Sequence, residues 1–297
     1  VVAVVVVVVV AVGVVPLTCH RTVISNCHHM VTFLLAAALL ARTVVHGDVY
    51  GRVDPDGAAL VVGAFHRSVY AVDEAERLDA RYVQVGGTVV VTPAYVAPGA
   101  YVEVAPAPFV VLRVGLDAFG FLGVPGGQGL LRFHDATHGF GSEALASLAG
   151  DERTGLAGRA SASLTLRAKW GPLIPRVDVA ASAYRFADPG PYLYESEHDT
   201  LLAPADGLLE GRAALLVQAW RAGSDSLLVA GPVVEATRTA VTGLARTRVG
   251  ALGYFVPVDV WGALRRPHVF ATGGVDAVDP NHAGEPYAVL GVGAEWE

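Results

Sequence analysis

The chain has 297 residues, 53% of them apolar, and 21 Lys and Arg against 28 Asp and Glu give it a formal charge of −7. That balance excludes a polyanion-binding surface and with it nucleic acid as a partner. Mean hydropathy is positive, yet no apolar run reaches the roughly 20 residues of a spanning helix, so the hydrophobicity is dispersed along the chain.

Val1 to Val15 is almost pure valine and the only methionine is Met30. Met30 reads as the start, and 1–29 as upstream sequence translated in frame; a short anchor helix is the alternative for the valine tract. Cys19-His20 and Cys27-His28-His29 carry donors that zinc prefers, but they match no zinc spacing and no second ligand pair follows, so no metal site is expected. Residues 30–47 have the apolar block and length of a signal peptide, without the basic start, and Val45-His46-Gly47 is its exit site. The mature chain is then 48–297, with no cysteine and no disulfide.

A strand sends successive side chains to opposite faces, so a membrane-spanning barrel wall alternates over about ten residues. Gly57 to Val72 shows this least clearly. Tyr82 to Tyr95 sets Gln84, Gly86, Thr88 and Thr92 against Val83, Val85, Val89, Val91 and Tyr95. Tyr101 to Phe119 sets Glu103, Arg113 and Asp117 against valines and leucines, with Pro106 and Pro108 read as a bulge or broken ladder.

The main loop follows, from Val124 to Thr154. Its glycines, Gly126-Gly127-Gln128-Gly129 and Gly139-Phe140-Gly141, read as hinges of a solvated segment, since no helix follows to present its N-terminus to an anion. It carries His134-Asp135 and His138 beside Ser142 and Glu143. Arg159 to Trp170 then alternates without a fault: Arg159, Ser161, Ser163, Thr165, Arg167 and Lys169 against Ala160, Ala162, Leu164, Leu166, Ala168 and Trp170.

Arg176 to Leu202 reads as one long irregular strand projecting outward, its end carrying His198-Asp199 and the alternating carboxylates Glu195, Glu197 and Asp199. These acids could bind a divalent cation, but a solvated edge fits them better. Weaker copies of the pattern run from Leu208 to Trp220, Leu227 to Arg238, Arg246 to Val256 and His268 to Ala277. Turn residues such as Ala222-Gly223-Ser224-Asp225 and Asp279-Pro280-Asn281 separate them.

The last segment, Tyr287 to Glu297, points Ala288, Leu290, Val292, Ala294 and Trp296 to one side. It resembles the closing strand of bacterial outer-membrane β-barrel proteins, a resemblance of architecture over the mature chain. The resemblance implies an outer-membrane location, lipid around the wall, and a final aromatic read by the barrel-assembly machinery; Glu297 after Trp296 departs from that ending.

The expected fold is all-β: an antiparallel up-and-down transmembrane barrel of about ten strands, or about twelve if Arg176 to Leu202 splits near Asp188-Pro189-Gly190 and another loop segment pairs. Inward charges would be Glu103, Arg113, Asp117, Arg159, Arg167, Lys169, Asp178, Glu210, Arg212, Glu235, Arg248, Asp276 and Glu295. Both signs are present, and in so small a barrel they should pair and fill the lumen, which excludes a wide porin.

The expected function is therefore a structural envelope component or a narrow pore. The alternative is a rim-sited hydrolase of lipid or peptide, with His134 beside Asp135, or His198 beside Asp199, as oriented base. His66 and Ser68 share a strand face but lack an acidic partner. A soluble β-sandwich is a third reading. Phosphate loops, dinucleotide fingerprints and paired-histidine zinc helices are absent from the sequence, and no cofactor is expected.

Overall fold

A computed structural model describes residues 42–53, 57–71, 81–124, 129–136, 139–187, 190–222, 226–258, 260–261 and 264–296. The valine tract, both cysteines, Met30, the apolar block to Ala41, His138 and Glu297 lie outside the described residues. No helix among the described residues is long and apolar enough to cross a membrane.

Alternation in the sequence becomes long strands: β1 (Arg42–Val53), β2 (Gly57–Ala71), β3 (Arg81–Val91), β4 (Tyr95–Ala107), β5 (Val110–Phe121), β7 (Gly155–Arg167), β8 (Leu173–Phe186), β11 (Ala205–Ala222), β12 (Ser226–Thr239), β13 (Ala245–Val256), β15 (Leu264–Val278) and β16 (Pro286–Trp296). Each pairs antiparallel with the next, β1 pairs with β16, and β15 pairs back to β13, so twelve strands close into a barrel without a free edge. Between them lie short elements: β6 (Arg132–Phe133), α1 (Ser142–Ser147), β9 (Tyr192–Glu195), β10 (Thr200–Leu202) and β14 (Val260–Trp261). β14 pairs antiparallel with the start of β15, while β6, β9 and β10 make a separate small sheet.

The expected count of about ten falls short in two places, and neither is the split near Asp188. Tyr101 to Phe119 is not one bulged strand but two, β4 and β5, joined by a turn at Pro108-Phe109. Prolines lack the N–H that a ladder needs, so the chain reverses where they cluster. The second missing strand is β1. Among the described residues this strand runs from Arg42: Val45, His46 and Gly47 pair with Trp296, Glu295 and Ala294, so the expected exit site lies within a strand.

Two other boundaries move. Tyr95 does not end β3; Thr92 Oγ1 accepts from the backbone N–H groups of Ala94 and Tyr95, turning the chain, and Tyr95 opens β4 with its ring inward. Arg176 to Leu202 does not project as one strand either, because β8 stops at Phe186 and the remainder forms the hairpin β9–β10.

Up-and-down order puts both ends of the wall, Arg42 and Trp296, at one rim with the connections 72–80, 108–109, 168–172, 223–225 and 257–263. The opposite rim carries the two longest connections, 122–154 and 187–204. Barrels of this architecture keep short turns at the periplasmic rim and long loops outside.

Outward positions are apolar and exposed, among them Val49, Leu60, Leu112, Val114, Leu116, Leu156, Leu290 and Val292. Buried residues gather at the long-loop rim. Tyr95, Phe119, Phe121, Tyr184 and Phe186 stack around the inner wall and pack against Leu130, Leu193 and Leu202 of the connections. Leu131, Phe133, Phe140, Leu145, Tyr194 and Leu201 form a second cluster among the connections themselves.

Candidate functional site: the charged lumen and its hairpin plug

Register decides what the inward charges do. Asp178 lies opposite Arg212, Arg212 opposite Glu235, Glu235 opposite Arg248 and Arg248 opposite Asp276. Acid and base thus alternate in one row across β8, β11, β12, β13 and β15. Arg212 and Glu235 approach to 3.0 Å, and Arg248 and Asp276 to 2.9 Å. Directly opposed unlike charges stabilise a pair by about 0.2–1 kcal/mol each, and the row is lost if any strand slips by one residue.

The other inward residues pair locally. Arg113 lies 3.9 Å from Glu103, whose carboxylate also accepts from the Tyr82 hydroxyl at 2.7 Å. Arg159 pairs with Asp117 at 2.9 Å, and Asp178 with Arg176 at 2.8 Å. Towards the short-turn rim, Arg167 donates to the Pro108 carbonyl and Lys169 to Gln218 Oε1. Glu295 lies opposite His46. On the same side His268 Nε2 reaches Asp48 Oδ1 at 2.9 Å across Gly293. A Cβ at position 293 would collide with that oxygen, so only glycine leaves the path open.

At the long-loop rim the tip of the β9–β10 hairpin is tied to the wall. Arg52, on β1, donates to the carbonyls of Ser196 and Glu197. From β7, Arg159 Nη1 reaches Glu197 Oε2 at 2.7 Å. His198 Nδ1 lies 2.8 Å from Glu195 and its Nε2 3.0 Å from Glu210 on β11. Asp199 accepts from Arg246 of β13 at 2.9 Å and from the Tyr194 hydroxyl at 2.7 Å. Arg246 also donates to the His198 carbonyl, and His282 Nε2 lies 3.4 Å from Asp199. Strands from all around the wall therefore hold one turn.

The electrostatics follow from this enclosure. Burial disfavours charge on His198, but the facing Glu195, with Glu197 and Glu210 behind it, outweighs burial and holds the imidazole well above its ordinary value. Burial likewise opposes charge on Glu195, and the His198 cation with its hydrogen bonds overcomes it, leaving that carboxyl below the ordinary range. With both ring nitrogens against carboxylates, His198 is an imidazolium cross-link.

His198 and Asp199 do not form the expected pair, since they take different partners: the imidazole faces Glu195 and Glu210, and Asp199 faces Arg246. His134 and Asp135 lie exposed just after β6. His66 Nδ1 lies 3.2 Å from Thr43 Oγ1. The acids at 195–199 are not a solvated edge: Glu195 and Asp199 are buried. Donor atoms of Glu195, Glu197 and His198 come within 4.8 Å of one another, close enough for a cation. Arg159 and the imidazolium occupy that charge instead.

Sequence reading missed Arg52, Arg246 and His282 as partners of the hairpin tip, and Asp279, which lies 3.9 Å from Arg246. Arg246 opens β13 and His282 lies in the turn between β15 and β16; their common partner, Asp199, comes from a distant connection.

A closed wall with apolar residues outward and paired charges inward has the architecture of a transmembrane β-barrel. No protein-family model and no curated protein matches the chain. Among solved structures, it is similar to the β-domain of the Bordetella autotransporter BrkA, at 11% identity over 86% of this chain and 98% of that one, with TM-score 0.42. It is also similar to the translocator domain of the autotransporter NalP from Neisseria meningitidis, at 9% identity over 93% and 97%, with TM-score 0.37. LpxR from Salmonella typhimurium is similar at 11% identity over 86% and 99%, with TM-score 0.38.

Proposed function

We propose that this protein is a structural barrel of the outer membrane whose lumen is shut by its own side chains, and that it does not conduct at rest. The carrying observation is the hairpin tip held from the wall by Arg52, Arg159, Glu210 and Arg246. A solute entering from the long-loop rim meets a buried network in which each ion has a partner, and displacing one ion leaves its partner uncompensated in low dielectric, at several kcal/mol. The β16 strand, with Trp296 outward, serves as the segment read by the assembly machinery.

Currents across planar bilayers containing the purified chain test this reading. The unmodified protein is expected to give no stable conductance steps. The double variant Arg52→Gln, Arg246→Gln, which unpins the tip, is expected to give brief openings. Regular steps from the unmodified protein would show an open path and end the proposal.

A further inference from the structure

The lumen side of β16 has no side chain at two successive inward positions, Gly291 and Gly293. Gly291 lies directly between Phe270 of β15 and Tyr50 of β1, and Gly293 directly between His268 of β15 and Asp48 of β1. A Cβ at either position would collide with the pair that meets over it. Two side-chain bridges therefore cross the closing strand: an aromatic one with ring centroids 6.2 Å apart, and a polar one from His268 Nε2 to Asp48 Oδ1 at 2.9 Å. Both need β1 and β15 to flank β16, so they exist only once the barrel has closed.

The backbone is distorted to aim the polar bridge. Arg265 pairs with Glu295 but His268 pairs with Gly293, so β15 carries one residue more than β16 over this stretch, a bulge. Within it Arg266 has φ 46°, a left-handed conformation uncommon for any residue but glycine. The extra residue shifts the alternation by one, so that His268 and not Pro267 faces the lumen. It also brings the Arg266 carbonyl to 3.0 Å from His268 Nδ1. A carbonyl and an ionised carboxylate only accept hydrogen bonds, so the ring donates from both nitrogens, which imidazole does only as the cation. The other titratable groups around it are Glu295 of β16, His46 opposite Glu295 on β1, Tyr254 of β13 at 5.2 Å ring to ring, and Arg266 on β15 itself. The His268 and Asp48 side chains stay 15% and 26% exposed, so the pair can exchange protons with water.

We propose that the barrel seam carries a proton-operated latch near the short-turn rim: protonated His268 ties β15 to β1 across β16 through Asp48, and loss of the ring proton slackens the tie. A neutral ring can donate from one nitrogen only, so one of its two hydrogen bonds goes, and the bond that stays no longer joins opposite charges. The aromatic bridge over Gly291 does not titrate and holds at either pH. The seam is thus tighter in acid than in alkali. The inference rests on closure of the wall, not on whether the lumen conducts.

The melting temperature of the refolded full chain in detergent, taken at about pH 5 and about pH 8, tests it. Asp48→Asn and His268→Gln should each lower the midpoint by several degrees at the acid pH and by much less at the alkaline one. In acid their double variant should fall no further than either alone, which separates this pair from the other histidines. Gly293→Ala, which blocks the bridge without removing a titratable group, should reproduce the acid loss. Tyr50→Leu, which removes the aromatic bridge, should lower the midpoint equally at both pH values. Additive losses in the double variant, or a loss from His268→Gln that is the same at both pH values, would overturn the proposal. Should a variant fail to refold, amide exchange of residues 291–295 in the unmodified protein decides: protection that does not fall from about pH 5 to about pH 8, after correction for intrinsic rates, overturns it as well.

Discussion

His198 shows how little a residue's identity says about its work. Beside Asp199 in the sequence it has the makings of a general base; in the fold it is a cation clamped between Glu195 and Glu210. Its raised pKa makes a stability statement. A histidine held above 6.5 contributes fully below that value and progressively less as pH rises through its folded value. Glu195, lowered from 4.5 to about 2, contributes fully above 4.5 and loses its contribution as pH falls towards 2. The plug is therefore expected to be held most tightly between about pH 4.5 and 6.5. Amide exchange of residues 192–202 should be slowest in that window, after correction for intrinsic rates, and faster on either side; a flat profile would mean that the pair does not hold the hairpin.

At the scale of the strand, the row Asp178, Arg212, Glu235, Arg248, Asp276 ties charge to register. Each of its members reads as an inward charge from alternation alone, but nothing local says that acid will face base on the next strand. Reversing one member, Arg212→Glu, sets three carboxylates side by side and should lower the melting temperature by several degrees. Adding Glu235→Arg restores one opposed pair but sets the introduced guanidinium against Arg248, so the double variant should recover only part of the loss. Full recovery would show that the Arg212–Glu235 contact acts alone and that the row is not coupled.

Length also matters at this scale. Nineteen residues from Tyr101 to Phe119 would extend to about 60 Å as one strand, twice the roughly 30 Å of a bilayer core. Read with that limit, Pro106 and Pro108 mark a turn between two crossings. β1 was hidden differently: its His46, Asp48, Tyr50 and Arg52 alternate with Val45, Val49 and Val53, but the preceding apolar block invites a signal-peptide reading that runs across it.

For the whole molecule the decisive pairings are β1 with β16 and β13 with β15, which leave no unpaired edge. A wall closed in this way has no point from which detergent can peel strands one at a time. Unheated protein in dodecyl sulfate gels should migrate as a compact species, distinct from the boiled chain. Trp296→Ala, at the seam opposite Val45, should reduce the compact fraction formed during assembly in cells while leaving protein refolded in detergent closed. Loss of the compact species in both settings would assign Trp296 to stability of the seam instead of recognition by the assembly machinery.

The sequence by itself determined that the chain forms strands with two unlike faces, because a strand's period of two is local and needs only the order of residues. The same order, set against bilayer thickness, implies many short crossings and an apolar exterior. Tertiary structure alone decided that there are twelve strands, that the inner charges form a matched row, and that the tip of the β9–β10 hairpin is tied to the wall. Those outcomes depend on contacts between residues far apart in the chain, such as Arg52 with Glu197 and Arg246 with Asp199. Their energy exists only once closure brings the partners into a shared low-dielectric space.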